Sequence, residues 1–189
     1  MGRKPGSGLS ISPGFLLLAA SLYYFGGWAA VTAFFSAALA HELGHLLTLL
    51  LTGAEIRKIR MTPAGLVIEY TGALSDAQQI AIITAGPAGG FIFALLCFWA
   101  GTRYYQYAGA IALLSTLFNL MPVYPMDGGR LSFIILSRIM PDMAAMRFLR
   151  WVGSLCSVGV MATGIGISSI PAAAAGVWLL LLANRQDLR

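Results

Sequence analysis

The stretch His41-Glu42-Leu43-Gly44-His45 has residue types and a spacing suited to chemistry, and it contains both histidines of the chain. Residues four apart on an α-helix share a face, so the two imidazoles can turn toward one ion. Glu42 stands beside that face, where it can reach a water held by the ion. This is the HExxH pattern, in which the histidines hold zinc and the glutamate serves as general base in hydrolysis. The rival reading is a buried His-Glu-His cluster that only ties helices together. It is the weaker one, because ionisable groups are costly in an apolar bundle and by default mark function.

A catalytic zinc takes three protein ligands and keeps one open position. With no third histidine, the remaining ligand must be a carboxylate or thiolate. The carboxylates besides Glu42 are Glu55, Glu69, Asp76, Asp127, Asp142 and Asp187. Asp127 stands out. It follows Asn119-Leu120-Met121-Pro122-Val123-Tyr124-Pro125-Met126 and precedes Gly128-Gly129. Two prolines and two glycines predict an irregular segment at the end of an apolar span. At membrane depth such backbone must line a cavity or lie inside protein. The plainer alternative is an ordinary turn aspartate before glycine.

The elements that must position these residues are apolar. Hydrophobic residues make up 58% of the 189 residues and charged residues 10%, against about 25% charged in soluble domains. So few charges cannot cover a water-facing surface, but they can terminate membrane helices. The net charge of +5 therefore reads as topology-setting rather than as a nucleic-acid interface. Cys97 and Cys156 each lie in a long apolar run and read as buried free thiols, with no CxxC pair.

The expected fold is an all-α polytopic membrane protein, a single domain over 1–189, with about six transmembrane helices and a small membrane-associated β-hairpin. Apolar segments run about 9–28, 29–51, 80–101, 108–121, 151–169 and 171–183. The fourth and sixth are short for a hydrocarbon core of about 30 Å. With the N-terminus in the cytoplasm, 11 of the 12 basic residues fall on the cytoplasmic side and only Arg103 on the other. The positive-inside rule thus favours six spans with both termini cytoplasmic. The first apolar run continues through Leu22 to Phe25 and reads as a span rather than a cleaved leader. Residues 54–73 hold two β-like runs around Thr62-Pro63-Ala64-Gly65, a hairpin signal at the cytoplasmic surface. Its edge is suited to pair with an unwound substrate strand. Residues 130–140 read as an interfacial or re-entrant helix stopped by Pro141. On this topology the histidines lie roughly 9–15 Å inside the cytoplasmic end of the second span, and the fourth span ends on that same side just before Asp127.

HELGH in one membrane helix followed by Asn119-x-x-Pro122-x-x-x-x-Asp127-Gly128 closely resembles the site-2 protease family of intramembrane zinc metalloproteases. Within it the chain looks like the compact group that includes the bacterial sporulation protease acting on a pro-sigma factor. The resemblance covers most of the chain. It implies one Zn²⁺ per chain held by His41, His45 and Asp127, with Glu42 as catalytic base. It places Asn119, Pro122 and Gly128 in support of the site or of substrate, and it implies membrane-embedded or membrane-associated protein substrates. A homo-oligomer or a regulatory membrane partner stays open, and a prokaryotic cytoplasmic membrane is the expected location. Gly86-Pro87 matches a family pair, but where relatives often carry asparagine three residues after the proline this chain has Gly90. The run 86–90 otherwise reads as a kinked, closely packed helix.

Two rival functions fit less well. A zinc transporter would need further polar ligands along a pathway, yet spans three, five and six contain no His, Asp or Glu. An inactive membrane scaffold would be expected to have lost part of the HELGH and Asp127 set.

Overall fold

A computed structural model describes residues 10–11, 13–62 and 65–184. In chain order its elements are β1 (Ser10–Ile11), α1 (Pro13–Leu51), β2 (Glu55–Thr62), β3 (Gly65–Thr71), α2 (Asp76–Ala100), α3 (Arg103–Asn119), α4 (Asp127–Leu136), α5 (Asp142–Gly166) and α6 (Ile170–Ala183). The chain divides into two compact units, Met1–Thr116 and Leu117–Arg189.

In the first unit, the two apolar segments expected at 9–28 and 29–51 run on as α1, broken at Gly27, where φ 63° and ψ −162° leave the helical region. Glycine allows that positive φ without a Cβ penalty. α1 packs on α2 through small residues, among them Ala33, Ala37 and Ala94 in the core. Contact is close enough that a Cβ on Gly89 would lie 2.5 Å from the Ala40 carbonyl oxygen. Small residues let helix backbones approach in this way in an apolar medium. α2 starts at Asp76, earlier than the span expected at 80–101, because Ser75 and Gln78 form a reciprocal capping box. It ends at Gly101, whose φ of 72° is left-handed. α3 begins at Arg103, five residues before the expected 108. Its Tyr104 hydroxyl lies 2.8 Å from Thr32 Oγ1 on α1.

β2 pairs antiparallel with β3, with a register irregularity between Ile56 and Lys58, and β1 pairs parallel with β2. Among the described residues β3 is therefore an edge strand. The turn residues Pro63 and Ala64 of the expected hairpin lie outside the described residues.

In the second unit, residues 120–126 are irregular and include a cis Tyr124–Pro125 bond. Val123 and Met126 from this segment form a core with Leu179 and Ala183 of α6, and the Phe118 ring stacks on Trp178 at 6.3 Å. The segment read as 130–140 is helical from Asp127 to Leu136, three residues earlier than its apolar character suggests. The fifth span, expected at 151–169, is α5 from Asp142 to Gly166. Pro141 precedes its first turn, Arg147 and Arg150 are tolerated inside it, and the chain leaves the helix at Ile167. α6 starts at Ser169, whose hydroxyl accepts from the Ala172 amide, and a Cβ on Gly176 would lie 2.6 Å from Met161 Cα. Among the described residues, Leu16–Leu51, Asp76–Ala100 and Asp142–Gly166 are long and apolar enough to cross a membrane. Their outer faces carry large exposed apolar side chains such as Leu51, Trp99 and Trp151, which water would not accommodate but lipid does.

Candidate metal centre

His41 and His45 lie one turn apart on α1, as their spacing requires. His41 is buried, while Glu42 and His45 are half-buried. The two Nε2 atoms stand 3.1 Å apart. His45 Nδ1 lies 2.8 Å from the Ile82 carbonyl oxygen on α2. A carbonyl can only accept, so Nδ1 carries the proton and Nε2 keeps its lone pair for a metal. Two nitrogens bound tetrahedrally at about 2.0–2.1 Å would sit roughly 3.3–3.4 Å apart. The observed separation is close to that, so the spacing of the two nitrogens fits a shared zinc ion.

The α1–α2 seam provides this arrangement. A Cβ on Gly86 would overlap the His45 ring, with Cδ2 at 2.6 Å, and one on Gly44 would lie 2.7 Å from the Ala85 carbonyl carbon. Gly86 is thus part of the site: it clears the space that the His45 ring fills. Sequence reading treats it as packing, and the only signal for its role is its place in the Gly86-Pro87 pair. A Cβ on Gly90 would likewise overlap the Thr116 hydroxyl oxygen of α3.

Asp127 is not in a loop, as the surrounding prolines and glycines suggest, but is the first residue of α4. Its charge suits the positive end of the helix dipole. A Cβ on Gly128 would lie 2.7 Å from the Met121 carbonyl oxygen, and one on Gly129 would lie 2.5 Å from the Tyr124 nitrogen. The glycines therefore serve the approach of the α4 backbone to residues 120–124 rather than a turn. Asp127 is buried, at 8% exposure. Glu42 is half-buried, and Asp76 and Asp142 are exposed. Among the described side chains Asp127 is therefore the buried carboxylate, and buried charges are paired or coordinate metals. Asn119 closes α3 and is half-buried, as is Pro122. The Pro122 carbonyl oxygen would lie 3.2 Å from a Cβ on Gly153 of α5. The structure thus brings His41 and His45 together in the first unit, and groups Asn119, Pro122, Asp127 and Gly128 around residues 119–128 of the second.

The chain belongs to the Peptidase M50B-like family, whose model matches residues 15–186. It is 32% identical over 127 residues to stage IV sporulation protein FB of Bacillus subtilis, covering 62% of this chain and 43% of that protein. It is 31% identical over 113 residues to a zinc metalloprotease of Methanocaldococcus jannaschii, covering 55% of this chain and 33% of that protein. The chain thus spans less than half the length of these curated relatives. Among solved structures it matches a site-2 protease from Methanocaldococcus jannaschii with a TM-score of 0.73 at 21% identity, over 97% of this chain and 92% of that one. The fold is therefore that of a site-2 protease, and the chain is an integral membrane protein.

Proposed function

We propose that this chain is a single-domain intramembrane zinc metalloprotease that hydrolyses peptide bonds in membrane-embedded or membrane-associated proteins. The observation that carries this reading is the pair of Nε2 atoms 3.1 Å apart on one helical turn that also bears Glu42. His41, His45 and Asp127 would hold one zinc ion. The choice of Asp127 as third ligand rests on its burial and on the exposure of Asp76 and Asp142. Family membership and the names of the relatives support the same assignment.

Bound zinc supplies Lewis acidity, lowering the pKa of a water towards about 7 and polarising a carbonyl. Glu42 takes the proton from the attacking water and returns it to the leaving amine. The Ile82 carbonyl fixes the His45 tautomer throughout. Asn119, Pro122 and Gly128 shape the segment that carries Asp127. A helical substrate must first unwind, since its carbonyls are hydrogen-bonded along its own helix. The outer edge of β3 in the three-stranded sheet is a template for the extended strand that results.

We further read six spans with both termini cytoplasmic, in a prokaryotic cytoplasmic membrane, and with the β2–β3 hairpin at the cytoplasmic surface. At 1.5 Å per residue α1 is roughly 58 Å long, nearly twice a hydrocarbon core of about 30 Å. The break at Gly27 lets it serve as two spans. The deciding experiment is purification in detergent with metal analysis, alongside cleavage of candidate single-span proteins by the wild type and by Glu42→Gln. Zinc near one per chain with cleavage only by the wild type is expected. A wild type that holds no metal overturns the proposal.

A further inference from the structure

Along α5, every fourth residue from Met143 gives the row Met143, Arg147, Trp151 and Leu155, and all four are exposed. Residues four apart share a helix face, so Arg147 stands in line with apolar side chains that meet lipid. Its depth follows from the length of the helix. Arg147 lies roughly 28 Å before Gly166, where α5 ends, at 1.5 Å per residue. That is close to one hydrocarbon core of about 30 Å. With the far end of α5 at one boundary of the core, Arg147 stands at the other. Trp151 lies one turn inside it, where interfacial aromatic rings sit. The Arg147 Nε donates to the Met143 carbonyl oxygen at 3.4 Å. The guanidinium therefore runs back toward the start of the helix, the direction in which a long cation leaves hydrocarbon for the headgroup layer. Arg150 is half-buried and, three residues on, is a neighbour of Arg147 on the helix surface. Two cations so placed repel each other. Among the described residues neither makes an ion pair, and the Nε contact is the one protein acceptor that either guanidinium has. The exposed Asp142 lies five residues before Arg147, off this row.

We propose that Arg147 and Arg150 form a binding site for the phosphate of an anionic phospholipid, with Trp151 and Leu155 lying against its acyl chains. The phosphodiester charge offsets the repulsion between the two cations, and guanidinium N–H groups match phosphate oxygens in geometry and charge. Basic side chains at the end of a span attract anionic headgroups in the same way. The occupant is a lipid rather than a soluble anion because the cations continue directly into an apolar row that acyl chains cover. The inference goes beyond the metal centre and rests on the reading of α5 as a membrane span.

The test titrates the full chain in detergent with dioleoylphosphatidylglycerol or dioleoylphosphatidylcholine and counts bound lipid by native mass spectrometry. The wild type should prefer phosphatidylglycerol. Arg147→Gln and Arg150→Gln should each weaken phosphatidylglycerol binding about 5-fold and leave phosphatidylcholine binding unchanged. Arg147→Lys keeps the charge and should retain most of the preference, and Arg103→Gln, at the start of α3, should retain all of it. Equal binding of the two lipids by the wild type would overturn the proposal whether or not the variants fold. A preference that survives in Arg147→Gln/Arg150→Gln would overturn it as well. So would displacement of phosphatidylglycerol by equimolar inorganic phosphate or by a short polyglutamate peptide, which would make the patch a site for a soluble anion. Failure of the span reading has its own signature. In Trp28→Phe/Trp99→Phe protein, which keeps Trp151 and the core-packed Trp178, vesicles of the two lipids carry bromine on the acyl chains of one or the other at equal fraction. Brominated phosphatidylglycerol should quench Trp151 emission more than brominated phosphatidylcholine does. Quenching by neither would remove the span, and the lipid site with it.

Discussion

The Nδ1 edge of His45 is held by a backbone carbonyl, so its tautomer does not depend on which residue occupies position 82. Ile82→Val should keep full zinc occupancy while costing about 0.5–1.5 kcal/mol of stability. His45→Ala should lose zinc altogether, and metal analysis of the two purified variants separates these outcomes. Glu42→Gln keeps the shape and removes the carboxylate proposed as the base. It should bind zinc as the wild type does and cleave roughly 10²–10⁴-fold more slowly, and single-turnover cleavage would reveal a wild-type rate if the base is elsewhere. Asp127→Ala should lower zinc affinity sharply, whereas Asp142→Ala, at an exposed carboxylate, should not. The histidine pair was legible in the sequence because one helical turn is a local property that spacing alone expresses. The roles of Gly86 and Gly90 were not, because the space they leave is used by side chains from other helices, and a glycine in an apolar run reads the same whether it admits a helix, a ring or a hydroxyl.

At the level of elements, the α1–α2 seam combines packing with chemistry. Gly86→Ala places a methyl on the His45 ring. It should destabilise the protein by about 1–3 kcal/mol and lower zinc content at the same time, read by thermal unfolding and metal analysis on one preparation. A stability loss with full zinc occupancy would limit Gly86 to packing. For the β3 edge, proline substitutions from Leu66 to Tyr70 should reduce cleavage of transmembrane substrates, and unchanged cleavage across the scan would remove strand pairing from the mechanism. Helix starts were the least legible part. α2 begins early because Ser75 and Gln78 cap it with polar groups, and α5 begins early because Arg147 and Arg150 sit in a helix that an apolar-span reading cuts short. Asp127-Gly128-Gly129 reads as a turn from composition, yet it opens a helix because the backbone at 120–124 comes too close for any side chain.

For the whole molecule, charge asymmetry makes a topological prediction. In a variant lacking Cys97 and Cys156, single cysteines at Ser7 or Gln186 should react with an impermeant thiol reagent only in inverted vesicles, and one at Thr102 only in right-side-out vesicles. Labelling of Ser7→Cys and Gln186→Cys from opposite sides would remove the six-span count. Membrane residence was legible from composition because 10% charged residues cannot solvate a surface. The span count is harder to read because α1 has no polar loop at its midpoint, only a change of backbone at one glycine.

That glycine has a consequence of its own. At Gly27 nothing lies within 4 Å of where a Cβ would stand, yet φ is +63° and ψ is −162°. The constraint there is handedness, not room. Reflection of these angles gives a common extended conformation, so a mirror-image D-alanine introduced by semisynthesis should be accepted at position 27, whereas the ordinary L-alanine, identical in volume, should straighten the bend or strain it.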